Sequence, residues 1–238
     1  MIYSLYASLL LLFINMSTTS AGSEKENSTS RKLAINIEPT VENKIQNAYQ
    51  SLQGDRSDLP SFECFNEALK GFYLLKEKNL VQKDILTLID FSKSSNTKRL
   101  WVIDLSTNTV LFHSLVAHGR NTGEEFATSF SNVNSSNKSS LGFYVTGEIY
   151  QGKHGLSLRL DGVESGVNDN ARTRAIVMHG ADYVSESFIR NNQRLGRSLG
   201  CPAIPNEITP AVIKTIQEKS CLFIFHPSRV QNLVRLVA

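Results

Sequence analysis

ILTLIDFSKSSNTKRLWVIDLSTNTVLFHSLVA, residues 85–117, is the segment whose reading decides the fold. It holds three short runs rich in Val, Ile, Leu and Phe, at Ile85–Phe91, Arg99–Leu105 and Val110–Ala117, separated by clusters of Ser, Asn and Lys. Runs of this length and composition predict strands. Ser106-Thr107-Asn108-Thr109 is a turn cluster whose short polar side chains can satisfy a reversing backbone, so the second and third strands predict a hairpin. Moving outward, Gly142–Tyr150, Leu156–Leu160, Ala175–His179 and Cys221–Phe225 repeat the pattern. Before the strands, Ile37–Leu52 predicts a short helix and Ser61 caps a second, in which Phe62, Phe65, Leu69 and Phe72 share a face. After them, Pro210–Lys219 predicts a last helix with Val212, Ile213 and Ile216 on one side. Mostly strands with helices at both ends predicts an α+β, mainly β architecture: one β-rich domain over residues 85–227, a helical section over 37–84 packed against it, and a tail over 228–238.

Composition narrows the class. Of 238 residues 41% are hydrophobic, and 25 Lys and Arg face 22 Asp and Glu, which is far from the signature of a disordered chain. A net charge of +3 gives no ground for a nucleic-acid partner. Three cysteines are too few for a disulfide scaffold or a four-cysteine zinc site, and their odd number leaves at least one sulfur without an intramolecular partner. Cys64 and Cys221 could pair only if the helix after Ser61 packs near the last strand.

The start of the chain reads as an address. Residues 1–21 carry no charged side chain, are largely apolar from Ile2 to Ile14, and end in the small residues Thr19-Ser20-Ala21. The apolar run is shorter than the ~20 residues that span a bilayer, so it predicts an export signal peptide cleaved near Ala21. An uncleaved segment would be the only membrane attachment expected. Residues 22–36 are rich in Ser, Thr, Glu, Lys and Asn and read as a linker.

Chemistry-bearing residues concentrate between His154 and Cys201. In Gly196-Arg197-Ser198-Leu199-Gly200-Cys201-Pro202 a cysteine follows a glycine, with an arginine four residues back. The backbone can turn tightly there, and positive charge favours the thiolate. An ordinary thiol, with a pKa of ~8.5, is only ~3% ionised at neutral pH, so a nucleophilic cysteine needs a base or a cation. His179 ends an apolar run, stands at a strand tip before Gly180, and is the base candidate. On residue types alone, a buried, inert cysteine competes with this reading. No short-spaced pair of ligands supports a zinc site built on Cys201, His179 and His154. Rossmann and Walker patterns are absent, and no cofactor is expected.

The strings His179-Gly180 and Ser198-Leu199-Gly200-Cys201 resemble the catalytic signature of the L,D-transpeptidases, exported cysteine enzymes that cross-link or trim bacterial peptidoglycan. Ser139-Ser140-Leu141-Gly142, the segment from His154 to Leu160, and His118-Gly119 extend the resemblance to the murein L,D-transpeptidase catalytic domain, a YkuD-related branch. The resemblance runs from about Leu86 to Pro205. It implies a β-sandwich or barrel catalytic domain, Cys201 as nucleophile, His179 as base, the Gly180 carbonyl as the group orienting the imidazole, and backbone N–H groups of Gly200 and Cys201 as oxyanion donors. Arg197 would hold a substrate carboxylate, with Ser198, His154 and Tyr150 lining the substrate site. Arg172, Arg174 and Arg194 add local positive charge. The implied substrate is a peptidoglycan stem peptide and the implied reaction is acyl transfer through a thioacyl-enzyme. A carboxypeptidase or endopeptidase using the same site and an inactive wall-binding protein are the alternatives. Two departures stand out: Leu199 where the pattern usually has His, and Ala203 where it usually has Arg or Asn. The stretch Asp182–Leu195 is an insertion. Tyr144 and the histidines at 113 and 226 read as structural, and Asn132–Ser140 as a loop bordering the cleft.

Overall fold

The structure is a computed structural model and describes residues 40–54 and 58–229. The expected leader, the linker and residues 230–238 lie outside the described residues. Two helices, α1 (Val41–Gln50) and α2 (Phe62–Glu77), precede three strands, β1 (Ile85–Asp90), β2 (Leu100–Asp104) and β3 (Thr109–Ser114). Then come β4 (Gly142–Gly152), β5 (Gly155–Gly162), β6 (Val177–Gly180), α3 (Glu186–Asn192), β7 (Ala203–Ile204), α4 (Thr209–Ile216) and β8 (Cys221–Phe225).

All eight strands form one mixed sheet in the order β3-β2-β1-β8-β4-β5-β6-β7. β1 and β8 run parallel, as do β6 and β7, and the remaining pairs are antiparallel. The sheet curls until its ends meet. Leu115–Ala117, expected to prolong β3, instead leaves its neighbour, and Ala117 forms a bridge with Ala203 of β7 at the opposite edge, with N–H to carbonyl distances of 2.8 and 3.3 Å. This nearly closed barrel covers both of its own edges, which removes exposed ladder groups. It also brings the segment after β3 beside the loop that carries Cys201.

Both faces of the sheet are buried, which accounts for continuous apolar runs such as Cys221–Phe225 in place of strict alternation. On the outer face Leu86, Leu88, Trp101, Phe143 and Phe223 pack under α1 and α2. On the inner face Ile89, Val102, Leu158, Met178 and Leu222 pack with Val212, Ile213 and Ile216 of α4. Ser61 caps α2 by accepting from the Cys64 N–H, and Phe65, Leu69 and Phe72 are buried as their spacing predicts. Phe62 departs from that face: it is 40% exposed and meets Tyr49 of α1 edge-on, with centroids 5.2 Å apart. Gly71 marks the crossing of α2 over the sheet. A Cβ there would lie 2.0 Å from the Phe143 ring, so this helix carries a glycine in its middle although Ala favours helix by about 1 kcal/mol.

Two boundaries differ from expectation for local reasons. Ala175 sits at φ +52°, closing a turn, so β6 begins at Val177. The last helix ends at Ile216 because Glu218 and Lys219 turn with positive φ and donate to the Gly147 and Thr146 carbonyls. The inserted stretch after Asp182 contains α3, capped by Ser185. Cys64, Cys201 and Cys221 are all free thiols. Cys64 and Cys221 both lie in the core cluster between α2 and the sheet, yet no disulfide joins them.

Candidate active site

β6 and β7 run parallel, with His179 level with Ala203 and Gly180 level with Ile204. Cys201 lies two residues before Ala203 and is therefore level with Val177, two residues before His179. Its Sγ sits 3.5 Å from the Val177 N–H and 3.7 Å from the Ala175 carbonyl. Cys201 and His179 both face a cleft of about 470 Å³, which Tyr150, Lys153 and His154 of the β4–β5 hairpin and Leu199 also line.

His179 is buried, and its Nδ1–H donates to the Gly180 carbonyl at 2.8 Å. A carbonyl only accepts, so the proton belongs on Nδ1 and the neutral ring keeps its Nε2 lone pair for a proton from elsewhere. His154 stacks on this ring with centroids 4.3 Å apart and planes 18° from parallel. Burial pushes the His179 pKa down, the Gly180 carbonyl resists, and the charges of His154 and Lys153 add to the fall. Burial pushes the Cys201 thiol up, while the Val177 N–H, Arg174 and Lys153 pull the other way. Both shifts favour a neutral thiol beside a neutral imidazole over an ion pair.

The Cys201 loop is held from beneath. Gly200 has φ +124°, and a Cβ there would come within 2.9 Å of the Lys138 carbonyl oxygen and 3.0 Å of Ile176 Cδ1. The Ser198 hydroxyl donates to the Cys201 carbonyl at 2.6 Å and accepts from the Gly200 N–H at 3.0 Å. The Gly200 N–H is thus bound within the loop, and the Ser198 hydroxyl joins the same turn from a residue that lines the cleft. Ser139 donates to the Gly200 carbonyl (3.1 Å) and accepts from the Gly119 N–H (3.0 Å), while the His118 carbonyl takes the Ser198 N–H. The strings at 118–119 and 139–142 thus buttress the nucleophile loop.

Arg197 lines the cleft. Its Nη1 meets the Arg120 and Gly123 carbonyls and, at 2.6 Å, Glu124. Arg194 pairs with the same carboxylate, and Arg172 with Glu148 and Asp161. Arg174 was expected to supply only charge. Its Nη1 and Nη2 bind the Ser131 and Lys138 carbonyls and the Ser140 and Ser136 hydroxyls, fastening the loop that abuts Gly200. Sequence reasoning passed over this role because the four acceptors lie more than thirty residues upstream. Tyr150 faces the cleft, with Arg159 over its ring at 4.6 Å. His118 is structural: Arg99 contacts its Nδ1 at 2.8 Å, its Nε2 faces the Gly123 carbonyl, and burial with the Arg99 charge holds its pKa down at about 4. Among the described residues no three His, Cys, Asp or Glu side chains are grouped to hold a metal ion.

The family model of the L,D-transpeptidase catalytic domain matches residues 57–225. The chain belongs to this family. Its fold is accordingly that of the L,D-transpeptidase catalytic domains. Similar solved structures include an L,D-transpeptidase from Mycobacterium smegmatis, 10% identical over 60% of this chain and 59% of that one with a TM-score of 0.38. Another is the helical cell shape determining protein Pgp2 from Campylobacter jejuni, 12% identical over 67% and 56% with a TM-score of 0.41. A third is Bd1075 from Bdellovibrio bacteriovorus, 16% identical over 60% and 48% with a TM-score of 0.37. This chain therefore spans roughly half to three-fifths of the length of those proteins. A search of curated proteins gave no match. Among the described residues no helix is long and apolar enough to cross a membrane.

Proposed function

We propose that the protein is an exported cysteine acyltransferase that cross-links or remodels peptidoglycan stem peptides through a thioacyl-enzyme. The observation that carries this reading is the shared cleft of Cys201 and His179, with Nδ1 of the imidazole held on the Gly180 carbonyl and Nε2 left to move protons. In the first step Cys201 Sγ attacks the carbonyl of the penultimate residue of a stem peptide while Nε2 takes the thiol proton. The backbone N–H of Cys201 serves the developing oxyanion. The C–N bond then breaks, Nε2 returns the proton to the departing amine, and a thioester remains on Cys201. In the second step an amine of a neighbouring stem attacks the thioester, gives its proton to Nε2, and displaces the thiol. Water in place of that amine would make the same site a carboxypeptidase or endopeptidase. Export rests on the apolar, small-residue-terminated segment 1–21.

Incubation with a carbapenem followed by intact-mass analysis should show one covalent adduct that Cys201→Ala abolishes. Muropeptide analysis of purified sacculi treated with the enzyme then separates cross-links from trimmed stems. A Cys201→Ala variant that retains either activity would overturn the proposal.

A further inference from the structure

The cleft needs a group to receive the negative charge of its substrate, and most of its cations are engaged elsewhere. Arg197 and Arg194 hold Glu124, and Arg174 is enclosed by loop carbonyls and hydroxyls. Lys153 differs. It stands in the two-residue turn between β4 and β5, makes no ion pair among the described residues, and lines both the main cleft and the adjoining cavity of about 340 Å³ bordered by Gly180, Asp182 and Tyr183. It therefore sits on the His179 side of the nucleophile, beside His154, and its charge reaches both members of the dyad.

That position selects which carboxylate it would meet. His179 protonates the departing amine, so whatever is attached to that amine leaves along the His179 side. A carboxyl-terminal amino acid carries its α-carboxylate one carbon from the amine. We infer that Lys153 is the specificity-determining residue that binds the free α-carboxylate of the leaving residue. An ammonium on a flexible stem suits this task, since it acts as a point charge that follows a group on its way out. The inference rests on the Cys201/His179 reading.

The test uses two thiol reagents that differ in a carboxylate, iodoacetate and iodoacetamide, and reads carboxymethylation against carbamidomethylation of Cys201 by peptide mass. In the wild-type protein the iodoacetate to iodoacetamide rate ratio should exceed that of Lys153→Gln by about two- to fivefold, the range of an exposed ion pair, and should fall with added salt. Lys153→Arg should keep the ratio. With stem peptides, Lys153→Gln should raise KM for a donor ending in a free carboxylate and leave KM for its carboxamide unchanged. An unchanged ratio in Lys153→Gln, with Cys201 still labelled, overturns the role of Lys153 alone. A wild-type Cys201 that neither reagent labels overturns the catalytic reading and this inference with it.

Discussion

Replacing Gly200 by alanine tests whether the nucleophile loop is held by backbone geometry. At φ +124° a side chain is strained, and the new Cβ would lie 2.9 Å from the Lys138 carbonyl oxygen and 3.0 Å from Ile176 Cδ1. Neither neighbour yields easily: Arg174 Nη2 holds the Lys138 carbonyl at 2.6 Å, and Ile176 is buried in the inner core. Strain and overpacking each cost about 1–3 kcal/mol, so an unmoved loop would lose roughly 2–6 kcal/mol of stability. For a domain of this size that is a fall in Tm of roughly 5–20 °C. The loop can relieve the strain only by moving, and Cys201 is the next residue. A displacement of about 1 Å can cost about a hundredfold in rate. Thermal unfolding and the iodoacetamide rate at Cys201 should be measured together on Gly200→Ala. A Tm within 1 °C of wild type (roughly 0.5 kcal/mol or less) combined with an alkylation rate within about twofold would refute the reasoning.

Two predictions concern pH. Because burial pushes His179 down and Cys201 up, the acid limb of kcat/KM should fall below the ordinary imidazole value of ~6.5, and the thiolate should form above the ordinary thiol value of ~8.5. An alkylation midpoint below pH 7 would mean a resting ion pair and contradict the structure. His118, held at about 4, stays neutral in the folded protein while the unfolded chain takes up a proton near pH 6.5, so its contribution to stability is complete above pH 6.5 and is lost as pH falls to about 4. The loss is on the order of 3 kcal/mol, and urea midpoints at pH 7 and pH 4.5 should differ less in His118→Asn than in wild type.

The strands and the meeting of His179 and Cys201 at one cleft were legible because each part is announced locally: apolar runs between turn clusters, a histidine at a strand tip, a cysteine after a glycine. What escaped is what depends on partners far along the chain. Nothing within Val110–Ala117 says that the chain will leave β2 after Ser114 and that Ala117 will bridge to Ala203, since the run stays apolar to its end. Arg197 and Arg174 look interchangeable as positive charges beside a cleft. Only folding brings Glu124 to the first and the Ser131–Ser140 loop to the second, leaving both engaged. Ser198 and Gly200 sit in the right string, but their hydrogen-bonding groups satisfy each other within one tight turn, which a motif cannot display. Lys153 drew no notice because a Lys-His pair between Gly152 and Gly155 reads as an ordinary turn.

The electrostatic surroundings of the dyad are asymmetric, and that asymmetry gives Lys153 a second consequence. Arg174 and Lys153 both favour the thiolate, whereas Lys153 and His154 oppose an imidazolium at His179. In the free enzyme the base is weakened first by burial and further by the cation that awaits the substrate. A carboxylate arriving at Lys153 neutralises that cation, so His179 becomes more basic as the donor binds. The acid limb of kcat, which reports the bound enzyme, should consequently lie at higher pH than the acid limb of kcat/KM, which reports the free enzyme. The gap should close for a carboxamide donor and in Lys153→Gln. A carboxylate bound elsewhere in the cleft would leave the gap intact in Lys153→Gln, so the two limbs measured on one variant distinguish a cation that merely attracts substrate from one that also tunes the base.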